Sequence, residues 1–380
     1  MPLHRNALLI SNYPSDTAYA WWLMERFWLE LAQRNLPHET FLAYPRVTHV
    51  PESLAKSKIR VIEMPFNLNS KAERKPLIRF IKENRIGILY LTDLFYFHRY
   101  YASLRRAGIR CIINHDHSPG DRAPSSGLRG SMKAAINRLP WVTADAVFNV
   151  SPLMQKRSIL NGRIPQKRVH LVQNGIENQQ HIESLDRVPI REQLNLPANS
   201  DIIISSSRLH RYKRLDHAIE IFERCYHKNQ NRHLIVLGDG PDAQRLLTLS
   251  SQRSCSTHIH FLGFRNDVKA LLLEADIAIH CAQGEGFSLS IIEYMSAGLP
   301  TITPNIPSVC QATEHGVTGF NYEDGNFVQA ANFINTILES STLKLKLSNQ
   351  AQKIARTNYS LNNTLAQFNR ALTGTGLNPQ

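Results

Sequence analysis

The sequence predicts an α/β chain made of two Rossmann-like units in tandem, and three observations lead there. Its 380 residues, 42% hydrophobic and 20% charged, suffice to bury two cores. Short apolar runs alternate with amphipathic helical stretches along the whole length, the pattern of parallel strands covered by helices. Near the middle, the turn-forming pair Asn174-Gly175 and a polar stretch holding Pro189 and Pro197 interrupt that alternation.

Taken in order, strand-like runs at residues 7–10, 60–62, 88–91, 111–113, 146–150 and 169–172 belong to the first unit. Helical patterns such as 18–34 and 75–84 lie between them. Runs at 202–205, 233–237, 259–262, 277–280 and 300–303 repeat the scheme in the second. The join falls between residues 173 and 200, which gives domains of 1–185 and 186–359. A final segment, 343–372, is helical in pattern, and no solenoid repeat or low-complexity tract occurs.

Composition narrows the partners. The net charge of +13 is unevenly placed: residues 1–190 hold 27 Lys and Arg against 15 Asp and Glu, whereas residues 191–380 hold 17 against 16. A basic first half suits nucleic acid, anionic lipid, or a phosphorylated or acidic acceptor. Nucleic acid is disfavoured, because no aromatic-basic motif of the base-stacking kinds is present. Residues 128–141, with Arg129, Lys133, Arg138 and Trp141, read instead as a basic amphipathic helix for an anionic membrane surface. No run reaches the roughly 18 to 20 apolar residues of a membrane span. The N-terminal stretch reads as a first buried strand and not as a cleavable signal, so the expected location is cytoplasmic, with possible peripheral attachment to the membrane's inner face. Cys111, Cys225, Cys255, Cys281 and Cys310 are odd in number and form no close pair, so buried free thiols are expected rather than disulfides or zinc.

The strongest chemical signal is EGFSLSIIEYMSAGLPTIT, residues 285–303, shortly after the apolar run 277–280. A strand feeding a glycine-containing loop that opens a helix presents free amides and a positive helix end, an arrangement suited to phosphate. Glu293 follows Glu285 by eight residues, about two helical turns, so one carboxylate stands in the loop and the other in the helix. Two glutamates in an apolar setting require a ligand or donor to satisfy them, and Gly286 is placed for close backbone approach.

This segment resembles the paired-glutamate signature of retaining glycosyltransferases of family 4. The similarity extends through SSSRLHRYKRLDHAIEIF, LIVLGDGPD, the segment 259–282 and EHGVTGFNY in the second half, and through 144–177 in the first. It implies a GT-B fold: two Rossmann-like domains facing each other across a cleft, with a C-terminal helix at about 360–374 packing back towards the N-terminal domain. It also implies transfer of a sugar from a UDP- or GDP-sugar, with retention, to a glycan, lipid-linked or phosphorylated acceptor. By the same resemblance Arg208 and Lys213 meet the leaving diphosphate, and Glu293 holds the ribose hydroxyls. Glu285 contacts the sugar or stabilises positive charge at the anomeric carbon. The amides of Phe287, Ser288 and Leu289 face the diphosphate and sugar, and Phe264 lies by the base. His115, with His117 as the competing assignment, stands near the transferred sugar. No Asp-x-Asp pair occurs, so no bound metal or other cofactor is indicated, and the two cations can supply the countercharge.

Two positions depart from the family pattern. Where the family carries a glycine-rich loop after its first strand, this chain has SNYPSDTAYAWW, and its first glycine is Gly87. Ser288 stands where glycine is frequent. Among rival classes, a sugar-nucleotide epimerase would share the architecture, whereas a dinucleotide-dependent dehydrogenase lacks its Gly-x-Gly-x-x-Gly after the first strand.

Overall fold

A computed structural model of the chain describes residues 5–16, 21–118, 126–177 and 188–376. It divides into two units, Met1–Gln173 with Asn362–Gln380, and Asn174–Leu361. The boundary expected at 185/186 lies outside the described residues.

Among the described residues the first unit holds seven strands: β1 (Asn6–Ile10), β2 (Thr40–Tyr44), β3 (Ile59–Glu63), β4 (Ile86–Thr92), β5 (Cys111–Asp116), β6 (Ala146–Asn149) and β7 (Val169–Leu171). They form one parallel sheet in the order β3-β2-β1-β4-β5-β6-β7. Sequence pattern had not marked β2, although every residue of TFLAY is buried. Its four apolar residues, bounded by Pro37 and Pro45, are too short a run to tell strand from helix by period alone. Helix Lys71–Glu83 begins four residues before its predicted start, because Ser70 caps it by accepting from the Glu73 amide at 3.4 Å.

The helix expected over 128–141 is shorter in the structure. It runs Gly127–Ile136, and Asn137 closes it by donating its side-chain amide to the Gly162 carbonyl at 2.6 Å. Pro140 disfavours helical backbone at Leu139, so Trp141 lies beyond the helix and not on it. The C-terminal segment is also two helices, Ser341–Asn358 and Leu361–Gly374. Ile176 separates them by pairing its amide with the Tyr359 carbonyl (2.9 Å) and its carbonyl with the Leu361 amide (2.7 Å). Phe368 of the last helix is fully buried in the first unit, against Phe27 and Phe148 with ring centroids 4.9 and 5.8 Å away.

The second unit holds β8 (Asp201–Ser206), β9 (Arg232–Leu237), β10 (Ile259–Phe261), β11 (Ile277–Ile279), β12 (Thr301–Pro304) and β13 (Gly319–Tyr322), parallel in the order β10-β9-β8-β11-β12-β13. Alternate residues of β8 feed two cores. Ile203 joins a cluster with Phe222, Leu234 and Ile334, whereas Ile202 and Ile204 join Leu237, Leu271 and Tyr294. With both faces covered, the strand reads as a continuous apolar run. The sheet reverses direction between β8 and β11, and a doubly wound sheet binds its ligands at the carboxyl ends of strands flanking such a reversal. Cys111, Cys225, Cys255 and Cys281 are buried and Cys310 half-buried, all as free thiols. Among the described residues, no helix is long and apolar enough to cross a membrane.

Candidate active site

Two loops converge at that reversal. The one leaving β8 passes Arg208 and tightens into the 3₁₀ turn Arg211–Lys213 before helix Leu215–Lys228. Arg214, in left-handed backbone at φ 50°, donates to the carbonyls of Cys281 and Ala282 at 2.8 and 3.3 Å and forks onto Asp324. The Gln283 amide donates to the Tyr212 carbonyl at 2.7 Å. These bonds hold the β8 loop against the loop leaving β11. Tyr294 adds a clamp: its buried hydroxyl donates to the Ser206 carbonyl and accepts from the Ser206 amide.

The result is a charged cluster with little access to water. Lys213 Nζ lies 2.5 Å from Glu285 Oε1, and His280 Nε2 lies 2.8 Å from the same oxygen; the Lys213 and Glu285 side chains are each 11% exposed and His280 1%. An ionised carboxylate only accepts, so His280 carries its proton on Nε2, which leaves Nδ1 buried and unpartnered. Burial opposes ionisation of Glu285, yet the Lys213 ammonium and the His280 hydrogen bond outweigh it and hold the carboxyl at about 2. Burial likewise works against the charge on Lys213, and Glu285 raises its pKa despite that. Both bonds fall on Oε1, and among the described residues Oε2 has no protein partner.

Beyond this loop, helix Leu289–Ser296 starts at Ser288, whose hydroxyl accepts from the Ile291 amide. The amides of Leu289 and Ser290 occupy helix positions that no intrahelical carbonyl can serve. Asn174 fixes the entry by donating to the Phe287 carbonyl at 3.2 Å, and Gln311 does the same at the Gly286 carbonyl at 3.0 Å. The Phe287 ring packs edge-on against Tyr359. Glu293 faces a different situation from Glu285. Its carboxylate has no hydrogen-bond partner among the described residues, and burial pushes it up to about 7, opposed by the charge of Lys269.

Arg208 is exposed, without a side-chain partner among the described residues. The structure therefore groups Lys213, Glu285 and the 286–289 amides, and places Arg208 on the β8 loop and Glu293 on the following helix. Phe264 is 55% exposed in the turn after β10. In the first unit, His115 is the penultimate residue of β5, and its ring is completely buried. Tyr90 Oη lies 2.5 Å from His115 Nδ1, Phe27 and Phe148 pack on the ring, and burial with the nearby His117 pushes its pKa well below the usual imidazole value. His117 is the more accessible of the two, 3.4 Å from Asp93. The glycine-free loop after β1 is used for structure: Ser15 Oγ accepts from the amides of Thr48 and His49 at 2.9 and 3.2 Å, and Thr17 lies outside the described residues.

His280, Tyr294 and Gln311 had escaped sequence reasoning. For His280 a signal existed, an imidazole ending a buried strand five residues before Glu285. Tyr294 and Gln311 act across elements, and nothing local marks them. The loop 238–242 is a further support, because it interlocks with 207–209. The Leu209 amide donates to Asp239 and the Asp242 amide to Leu209. At Gly238, φ is +123° and a Cβ would stand 2.0 Å from the Ser207 carbonyl oxygen. Gly238→Ala is accordingly expected to lose more than about 2 kcal/mol in urea unfolding, and an unchanged midpoint would refute this packing.

Comparisons with known proteins follow the same lines. Residues 186–354 match the family model described as glycosyl transferases group 1. N-acetyl-alpha-D-glucosaminyl L-malate synthase of Bacillus anthracis is 23% identical over 189 residues, 50% of this chain and 49% of that protein. UDP-Gal:alpha-D-GlcNAc-diphosphoundecaprenol alpha-1,3-galactosyltransferase of Escherichia coli is 22% identical over 66% of each chain. The match thus spans about half the length of the first of these relatives and two thirds of the second. In structure, HepE of Anabaena in complex with UDP and glucose superposes with a TM-score of 0.76 at 19% identity, covering 97% of this chain and 100% of that one. The chain has the GT-B fold of these solved neighbours, and its residues 186–354 are similar to the glycosyl transferases group 1 family.

Proposed function

We propose that this protein is a glycosyltransferase that moves a sugar from a nucleoside-diphosphate sugar to a glycan or lipid-linked acceptor, with retention and without a bound metal. The observation that carries the reading is the Lys213–Glu285–His280 cluster at the β8/β11 reversal, with Arg208, which has no side-chain partner among the described residues, on the same β8 loop and the open amides of helix Leu289–Ser296 following. In the reaction, the bond from the anomeric carbon to the diphosphate oxygen breaks and its electron pair leaves with the diphosphate. The acceptor oxygen forms the new bond and passes its proton to the departing diphosphate oxygen. Arg208 and Lys213 stabilise the departing negative charge, aided by the Leu289 and Ser290 amides. Glu285, held ionised, offers Oε2 to the sugar or to positive charge growing at its anomeric carbon. Glu293 accepts from the ribose hydroxyls, and Phe264 flanks the base.

Of the two histidines, the less buried His117, just beyond β5, is assigned to the transferred sugar, and the buried His115 packs against it with ring centroids 4.2 Å apart. The complex of HepE with UDP and glucose, and the UDP-galactose named for the E. coli relative, favour uridine as the base. The protein works in the cytoplasm, as a peripheral protein on the membrane's inner face.

A thermal-shift screen with UDP, GDP and their sugars tests this reading. UDP is expected to stabilise the wild type, and Arg208→Ala to lose most of that shift, with turnover persisting in excess chelator. No stabilisation by any nucleotide would overturn the site assignment; turnover abolished by chelator would overturn the metal-free mechanism.

A further inference from the structure

One surface of the first unit is unlike a solvated face. Phe95 and Trp141 are 68% and 66% exposed, and Leu128 and Met132 are 78% and 57% exposed. Phe97 and Leu139 are exposed as well. Backbone pairing brings these residues together from two strand-end connections: the His98 amide donates to the Val142 carbonyl and the Ala144 amide to the Tyr96 carbonyl, both at 2.8 Å. In that extended segment Tyr96 points inward and donates to the Asn137 carbonyl, so its neighbours Phe95 and Phe97 point outward. Between this segment and helix Gly127–Ile136 lies a groove of about 300 Å³, lined by Phe97, Met132 and Ile136 with Arg129 and Lys133 at its rim.

Charge on the patch has one sign. Residues 127–144 contain Arg129, Lys133 and Arg138 and no acidic residue, and residues 94–98 contain none either. Arg129 is exposed and unpartnered among the described residues, Arg138 caps its own helix through the Ala134 carbonyl, and Lys133 donates to the Asn161 carbonyl. Large apolar side chains ringed by cations match the boundary between acyl chains and anionic headgroups. A protein partner offers no such fixed preference for negative charge. The patch is built on the connections that follow β4 and β5, and its stretch of residues 139–144 leads directly into the amino end of β6.

We propose that this face, Phe95, Phe97 and residues 128–141, docks on an anionic phospholipid bilayer, its aromatic and aliphatic side chains entering the headgroup layer and its arginines meeting lipid phosphates. It rests on the glycosyltransferase reading only in its consequence, that the membrane bound by the first unit is the source of a lipid-linked acceptor.

Co-sedimentation tests it, using vesicles of phosphatidylcholine alone and vesicles with about one-third phosphatidylglycerol. The wild type is expected to bind the anionic vesicles at least about tenfold better, and high salt to remove most of that preference. Leu128→Ser with Trp141→Ser lowers binding about tenfold, as does Arg129→Glu with Arg138→Glu, whereas Lys71→Glu with Lys75→Glu on another basic helix leaves it within about twofold. The UDP thermal shift read on the same samples verifies folding and separates this proposal from the functional one. Equal sedimentation with both vesicle types, binding indifferent to the patch variants, or a concentration-dependent dimer that Trp141→Ser abolishes would overturn it.

Discussion

Lys213→Ala lowers kcat for sugar transfer by about a hundred- to a thousandfold, the cost of removing one preorganised charge from a developing anion. Two losses combine. The departing diphosphate loses a cation, and Glu285 keeps only the His280 hydrogen bond, so burial, already the largest influence on its carboxyl, now prevails and its pKa climbs from about 2. The sign for stability follows from the depressed value. In the wild type, ionised Glu285 stabilises the fold at pH above the ordinary carboxyl value of 4.5, and that contribution is lost as pH falls from there through about 2. In the variant the contribution is gone at neutral pH too. Breaking a buried pair from one side costs about 3–5 kcal/mol, so a lower Tm accompanies the lost turnover and must be separated from it.

The double variant Lys213→Met with Glu285→Leu makes the separation. With both charges replaced by apolar groups of similar volume, stability returns towards the wild-type value, because no unpaired ion remains in the core. Turnover does not return. A double variant that recovers both would make the pair structural alone, and a single Lys213→Ala variant within a few fold of wild-type kcat would remove Lys213 from the mechanism.

How much of this was legible in sequence depends on how local each cause is. The loop–helix of residues 285–296 is written in consecutive residues, Gly286 for the loop and Ser288 for the cap, so its structure follows the reading closely. Lys213 is different: its spacing from Arg208 was visible, but its partner 72 residues away depends on β8 and β11 lying side by side. His280 joins only because β11 ends where it does. The burial of His115 was not legible for a related reason, since the apolar run 111–113 ends before it and Tyr90, Phe27, Phe148 and Phe368, from other elements, enclose its ring. Residues 319–322, GFNY, show the opposite failure. Glycine and asparagine are poor strand formers, and they extend there because β12 offers a free edge to pair with.

Glu293 yields the second large effect, and it appears as a pH dependence of nucleotide binding. Burial raises its carboxyl to about 7 in the free protein, so between about pH 4.5 and 7 the folded chain holds a proton that the unfolded chain has released. That group's contribution to stability therefore falls as pH rises through this window. A ribose supplies two hydroxyl donors that favour the ionised carboxylate, and binding then releases the proton. Affinity for UDP consequently rises between about pH 6 and pH 8, approaching tenfold per unit well below the free-protein pKa and flattening above it. Glu293→Gln removes the slope and binds UDP about a hundredfold more weakly at the upper pH, the scale of losing charge-assisted hydrogen bonds. The same variant is more stable than the wild type when empty above about pH 7, because an amide is cheaper to bury than an unpaired anion. Calorimetric titration at several pH values, with unfolding of the empty proteins alongside, reads both. A wild-type affinity that is flat or falls with rising pH would take Glu293 away from the ribose, since a purely structural glutamate could alter the stability curve but has no means of coupling it to the nucleotide.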